Sequence, residues 1–221
     1  MGTALLEGPL SGRVVRAYAA LGDSFTAGRD SIDAERWPDL LATGMRRVNP
    51  ELRYENFAVD GATSADVLDE QVGPALALEP DLITVICGTN DVLLATRPDV
   101  SGYAERIDQI LSRLREGAPE AALVTATAPE SWHFMEMRPR TEKRLIAATT
   151  ELNAVTVAAA ERYGVLCLPV AGHEVLKDPD TFSADGLHPS SGGHRFVAEQ
   201  AAIVLHQHFG IEFEMEGEEE S

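Results

Sequence analysis

The sequence predicts an α/β domain whose parallel sheet is covered by helices on both faces. Two patterns carry that expectation. Short apolar runs alternate with longer stretches of helix-like apolar spacing. One of the runs, Leu82-Ile83-Thr84-Val85-Ile86-Cys87, is almost continuously apolar and β-branched, as a strand buried on both faces requires. A chain of 221 residues is long enough to bury most of the surface its unfolded form exposes, so a single core is the economical reading.

In chain order, Val14 to Leu21 reads as the first strand, Arg53 to Ala58 as the second, Leu82 to Cys87 as the third, Ala122 to Ala126 as the fourth and Val165 to Leu168 as the fifth. Between and after them, Trp37 to Val48, Ser64 to Leu78, Tyr103 to Arg115, Thr141 to Arg162 and Ser191 to His208 carry helical spacing. Ser101 and Thr141 stand where N-caps are expected. No internal repeat or linker interrupts this order. One domain, residues 1–210, followed by an acidic, disordered tail, 211–221, is the expected organisation, since six glutamates fall in those last residues.

Composition narrows the classes of function. An apolar fraction of 44% with 24% charged residues excludes wholesale disorder, a collagen-like chain and a disulfide scaffold. The 18 basic residues set against 36 acidic ones give a formal net charge of -18, which disfavours nucleic acid and anionic membrane surfaces as partners. Cys87 and Cys167 lie in or at the end of apolar runs and read as reduced core residues; no zinc spacing is present. Neither a basic leader nor a long apolar stretch opens the chain, so the expectation is a cytoplasmic protein with no membrane span. His133, His173, His194, His206 and His208 form no ligand pattern and read as structural or surface groups. Glycine-rich phosphate loops are absent, so neither a metal nor a nucleotide cofactor is expected.

Four short blocks carry chemistry. Gly22-Asp23-Ser24-Phe25 follows the first strand and sets Ser24 where the chain leaves the carboxyl edge of the sheet, the edge at which open parallel sheets bind ligands. Its alternative is a polar turn that caps a helix. In Asp185-Gly186-Leu187-His188-Pro189, a carboxylate and an imidazole stand three residues apart in a turn-rich segment. That spacing suits a carboxylate holding the Nδ1 proton while Nε2 takes a proton from a serine, and Pro189 restricts His188 to an extended conformation. The alternative there is a turn with a satisfied surface histidine.

Gly88-Thr89-Asn90-Asp91, directly after the third strand, lets Asn90 aim a neutral amide donor at the same edge, as a developing oxyanion needs; Asp91 reads as a helix-start residue that helps hold the turn. Asp60-Gly61, in the block Asn56 to Ser64 after the second strand, offers a backbone N–H from a residue with no side chain in the way. Each block follows an expected strand, so one fold gathers all four.

In these four blocks, in this order from Gly22 to Pro189, the sequence resembles the SGNH (GDSL-type) hydrolase family. The resemblance implies a flavodoxin-like, three-layer α/β/α fold with five parallel strands in the order 2-1-3-4-5. It implies Ser24 as nucleophile, Asp185 and His188 as the rest of a triad, and an oxyanion hole made of the Ser24 N–H, the Gly61 N–H and the Asn90 amide. Phe25 departs from the leucine of the name-giving motif and puts a bulkier group beside the nucleophile. The rival α/β-hydrolase elbow, Gly-x-Ser-x-Gly, is absent because Thr26 stands two residues after Ser24.

The expected activity is cofactor-free hydrolysis of a small-molecule carboxylic ester through an acyl-serine. Alternatives within the family are sugar or metabolite O-deacetylation, acyl-thioester hydrolysis and lysophospholipid hydrolysis. A catalytically silent ligand-binding module on the same fold is the alternative from another class. Asp23 and Phe25 are candidate substrate contacts. After the fourth strand, Trp132 and Phe134 either wall a pocket or pack into the domain. Arg138 and Arg140, with Lys143 and Arg144, either receive an anionic substrate group or form a solvated basic face.

Overall fold

The computed structural model describes residues 12–29, 31–32 and 35–215. Its centre is a five-stranded parallel sheet: β1 (Ala17–Gly22), β2 (Arg53–Asn56), β3 (Leu82–Ile86), β4 (Ala122–Ala126) and β5 (Leu166–Leu168), in the order β2-β1-β3-β4-β5. That is the order the family resemblance implied. The chain leaves β1 towards one side to make β2 and returns to its other side for β3, so the winding reverses at β1/β3, and the carboxyl ends of the strands at such a switch point are where open parallel sheets bind ligands.

Alternation along each strand builds two cores, because successive side chains point to opposite faces. Tyr18 and Ala20 of β1, Leu82 of β3 and Ala122 and Val124 of β4 meet α2 (Trp37–Val48) and α8 (Ser191–Phe209) through Trp37, Leu41, Met45, Ala198 and Leu205. Ala19, Leu21, Ile83, Val85 and Leu123 point the other way, onto α6 (Val100–Gly117) and α7 (Pro139–Tyr163), through residues such as Ile107, Leu111, Leu145 and Leu152. The same face is covered by α3 (Ser64–Asp66), which runs through a π-helical turn, Val67–Gln71, into α4 (Val72–Ala77). Two short helices begin just past strands: α1 (Ser24–Ala27) and α5 (Thr89–Leu93).

Several expected boundaries move, each for a local reason. The first strand starts at Ala17, not Val14, because Arg13 pairs with Ile211 instead: Arg13 N–H donates to the Gly210 carbonyl (2.7 Å) and Glu212 N–H to the Arg13 carbonyl (3.2 Å). The second strand stops at Asn56, whose Oδ1 accepts the Ala58 N–H (3.1 Å) and turns the chain. Ser101 is not an N-cap. Asp99 takes that place, accepting the Gly102 N–H (3.0 Å). Thr141 is not one either, since Pro139 starts α7 two residues earlier and Arg138 occupies the cap position without a side-chain bond. The packed chain also runs past Gly210: Ile211 is fully buried and Glu214 N–H donates to the Gly44 carbonyl (3.1 Å). Residues 216–221 of the expected tail lie outside the described residues.

Cys87 is buried and Cys167 half-buried, both as free thiols. Among the described residues no helix is long and apolar enough to cross a membrane. Leu111, fully buried where α6 meets the sheet, tests the packing. Leu111→Ala is expected to cost about 2–5 kcal/mol in urea unfolding, through lost transfer energy and the cavity left behind.

Candidate active site

β1 ends at Gly22, and the chain turns at Asp23 into α1. Asp23 caps that helix by accepting the Phe25 N–H on Oδ1 (3.1 Å), so Ser24 becomes its first residue, buried at the sheet edge. His188 arrives from the opposite end of the sequence on a tight turn closed by a bond from the Ser183 N–H to the His188 carbonyl (2.7 Å). Within that turn Asp185 Oδ1 accepts the N–H groups of Leu187 (2.9 Å) and His188 (3.0 Å) and the Ser183 hydroxyl (2.8 Å). Its Oδ2 lies 2.5 Å from His188 Nδ1, and His188 Nε2 lies 2.8 Å from Ser24 Oγ. Burial tends to raise the Asp185 pKa; the hydrogen bonds from the His188 ring, the two amides and Ser183 outweigh that and hold the carboxylate well below the usual range.

The other two blocks join the same edge through hydrogen bonds. Val59 N–H donates to the Gly22 carbonyl (3.2 Å), pinning the loop after β2 beside β1. Asn90, in the first turn of α5, donates one amide hydrogen to the Ala62 carbonyl (3.0 Å), next to Gly61. Asp91 accepts the N–H and hydroxyl of Ser64 (2.8 and 2.6 Å) and pairs with Arg106 (3.1 Å), whose Nε also donates to Ser64 Oγ (2.7 Å). Asp91 therefore holds the turn as expected, with a cation from α6 behind it. Gly61 has φ +81 and open space where a Cβ would stand. Among the described residues, neither the Ser24 nor the Gly61 N–H donates to another protein group.

A model of the GDSL-like Lipase/Acylhydrolase family matches residues 20–196, which run from the end of β1 to beyond His188. The chain belongs to that family. A GDSL lipase of Mycobacterium tuberculosis is 26% identical over 198 residues, covering 85% of this chain and 80% of that protein. The thioesterase 1/protease 1/lysophospholipase L1 of Escherichia coli K12 is 25% identical over 189 residues, covering 84% and 81%. Among solved structures, the lipase/acylhydrolase of Enterococcus faecalis superposes with a TM-score of 0.71 at 19% identity, covering 91% of this chain and 99% of that one. The fold is thus that of the family, and the chain is a GDSL-type hydrolase acting on ester bonds.

The remaining expected contacts of this GDSL-type hydrolase divide. Phe25 is half-buried, its ring 5.5 Å from that of His188, so it borders the Ser24–His188 pair. Trp132 does not wall a pocket: it is buried, and its indole N–H donates to Thr149 Oγ1 (3.0 Å), which makes it core. Phe134 packs its ring on Phe182 (5.2 Å), and its carbonyl faces Gly186, so it braces the turn that carries Asp185 and His188. Arg138, Arg140 and Lys143 are exposed, and Arg144 donates to the Ala95 carbonyl; among the described residues no bond joins the four to Ser24, Asp185 or His188. Among the described residues, no group of three or more His, Cys, Asp or Glu side chains is placed to hold a metal ion.

Three contributors escape a linear reading: Gln71, Arg106 and the pair Trp37/His194. Trp37 donates its indole N–H to the Phe25 carbonyl (3.0 Å) and its backbone N–H to His194 Nδ1 (3.3 Å), linking the turn that holds Ser24 to the helix after His188. Only Gln71 left a signal, a polar residue in a stripe of buried positions Ser64, Val67, Leu68, Gln71, Val72 and Ala75.

Two buried groups near the site titrate with opposite consequences. Burial, aided by the charges of His188 and Arg36 against that of Glu35, lowers the His194 pKa to about 4; its Nε2 has no partner. Between about pH 6.5 and 4 the unfolded chain therefore binds the proton first, and stability is lost as pH falls. Burial also pushes the Asp23 carboxyl up to about 7, reinforced by Asp91 and Asp60 and opposed by the Phe25 N–H. Its unfolded form ionises first, so this contribution is lost as pH rises from about 4 to 7. Unfolding free energies measured from pH 4 to 7 should separate them: His194→Gln removes a rise on the order of 3 kcal/mol, whereas Asp23→Asn steepens it.

Proposed function

We propose that the protein is a serine esterase that cleaves small carboxylic esters through an acyl-serine, with Ser24 as nucleophile, His188 as base and acid, and Asp185 as the residue that orients the ring. The supporting observation is the relay itself: one imidazole stands 2.8 Å from the serine hydroxyl and 2.5 Å from a carboxylate whose other oxygen is already held by three donors. Ser24 gives its proton to His188 Nε2 as Oγ bonds to the acyl carbon, and the carbonyl oxygen becomes an oxyanion. The imidazolium that forms is stabilised by Asp185, which stays ionised. Collapse expels the alcohol, which takes the proton from Nε2. Water then gives His188 a proton and attacks the acyl-enzyme, releasing the carboxylic acid and restoring Ser24.

The Ser24 N–H, the Gly61 N–H and the second amide hydrogen of Asn90 receive the oxyanion. Donors held in place before the reaction stabilise charge that appears only in the transition state, which is why such a hole raises the rate and not ground-state affinity. Similarity to an arylesterase of Vibrio mimicus, 23% identical over 194 residues, accords with an ester substrate. The Escherichia coli thioesterase 1/protease 1/lysophospholipase L1 keeps acyl-thioester and lysophospholipid hydrolysis as the second reading. The formal charge of -18 weighs against anionic lipid surfaces and nucleic acid as partners.

With p-nitrophenyl esters of increasing chain length, Ser24→Ala should lower kcat by roughly 10⁴–10⁶, and Asn90→Ala by roughly 10²–10³ with little change in KM. A fluorophosphonate should label the wild-type protein once, at Ser24. Undiminished turnover by Ser24→Ala, or labelling elsewhere, removes the assignment.

A further inference from the structure

We propose that Gln71 is the positioning residue for the nucleophile's turn: its side-chain amide clamps the Gly22 backbone and so fixes the direction of the Ser24 N–H and hydroxyl. The inference rests on the reading of Ser24 as nucleophile.

Gly22 N–H donates to Gln71 Oε1 (2.8 Å), and Gln71 Nε2 donates to the Gly22 carbonyl (2.9 Å), both bonds being buried. A donor and an acceptor on one residue settle which way the amide points. The need for such a clamp follows from the strand edge. β2 ends at Asn56, paired with Ala20, so no regular strand reaches Gly22 on that side. Both polar groups of Gly22 face that gap. The carbonyl accepts the Val59 N–H as well, but the N–H has Gln71 alone among the described residues. The side chain of Gln71 thus completes the ladder where the backbone of β2 stops.

Position 22 also has to be glycine. Its φ is +148, and a Cβ there would lie 2.1 Å from the Ile86 carbonyl oxygen. A glycine two residues before the nucleophile is a hinge by default, because it adopts many backbone conformations at little cost. The Asp23 N–H bond to Ile86 O is long, at 3.3 Å, and restrains it weakly. Gln71 supplies the stronger restraint from a π-helical turn, a local rearrangement often found at functional sites. Misplacing a reacting group by about 1 Å costs about a hundredfold in rate.

Asn153 provides an internal control, because it makes the same two-bond clamp on Ala128, past β4: it accepts the Ala128 N–H (2.7 Å) and donates to the Ala128 carbonyl (3.0 Å). Both clamps contribute to folding, but only one adjoins Ser24.

The experiment measures kcat, KM, fluorophosphonate labelling rate and Tm for Gln71→Met, Gln71→Glu, Asn153→Leu and Ser24→Ala on a short p-nitrophenyl ester. Gln71→Met, which keeps the volume and loses both bonds, is expected to lower kcat and labelling rate by about ten- to a hundredfold with KM within about threefold. Gln71→Glu, which keeps only the acceptor for Gly22 N–H, is expected to fall between it and wild type. Asn153→Leu is expected to lose Tm comparably and keep kcat within about threefold. Losses in the Gln71 variants no larger than in Asn153→Leu overturn the inference, as does failure of both Gln71 variants to fold, which makes the amide a folding determinant. Wild-type kcat in Gln71→Met beside an inactive Ser24→Ala overturns this inference alone, whereas an active Ser24→Ala overturns the catalytic reading it rests on.

Discussion

The hydrogen bond between His188 and Ser24 joins groups 164 residues apart, and the architecture exists to hold its two ends in register. Closing so long a loop costs only a logarithmic entropy term. Holding its ends to within tenths of an ångström requires rigid elements at both. On the serine side the rigid element is β1, flanked by two parallel neighbours and buried at every position. On the histidine side it is α8, packed on α2, with the Asp185 turn just before its N-terminus and Trp37 linking the two sides. Positional accuracy is inherited from packed layers and then refined by a few long-range polar bonds.

Those bonds form a graded set around the carboxyl edge. Gln71 holds Gly22, Asn90 and Asp91 hold the turn around Gly61, Arg106 holds Asp91 and Ser64, and Phe134 braces the histidine turn. Most are side chains from helical segments that reach a strand end, a turn or another helix near that edge. Loops carrying chemistry need this treatment because their backbones have no ladder of their own. A buried side-chain amide suits the task, presenting a donor and an acceptor without the desolvation cost of a charge. Arg106–Asp91 is the charged exception, with the Asp91 side chain nearly buried and Arg106 partly exposed.

The layered fold was legible because its central strands are buried on both faces and therefore read as apolar runs, Leu82 to Ile86 most clearly. Ser24 was legible because it directly follows the apolar first strand, and Asp185 and His188 because their three-residue spacing lies in a turn-rich segment just before the last helix. Local competition among residues was harder to read. Ser101 looked like a cap, but Asp99 reaches the free N–H first, and Thr141 lost its place to Pro139. Helices α1 and α5 are too short to show a period. Gln71, Arg106 and His194 act on partners distant in sequence, so nothing within a window around them names those partners. Trp132 shows an ambiguity of the same kind: a large aromatic in a loop after a strand can wall a pocket or pack into the domain, and its burial and bond to Thr149 decide for the core.

The pairing of Arg13 with Ile211 brings the segment before the first strand against the segment after the last helix. Between Arg13 and Ile211 the described path is thereby almost a closed ring, with its seam below the start of β1 and away from the carboxyl ends of the strands. Connectivity across that seam is supplied in space already. A circularly permuted chain joined across this seam and opened at an exposed turn keeps the described layers and the bonds among Ser24, His188 and Asp185.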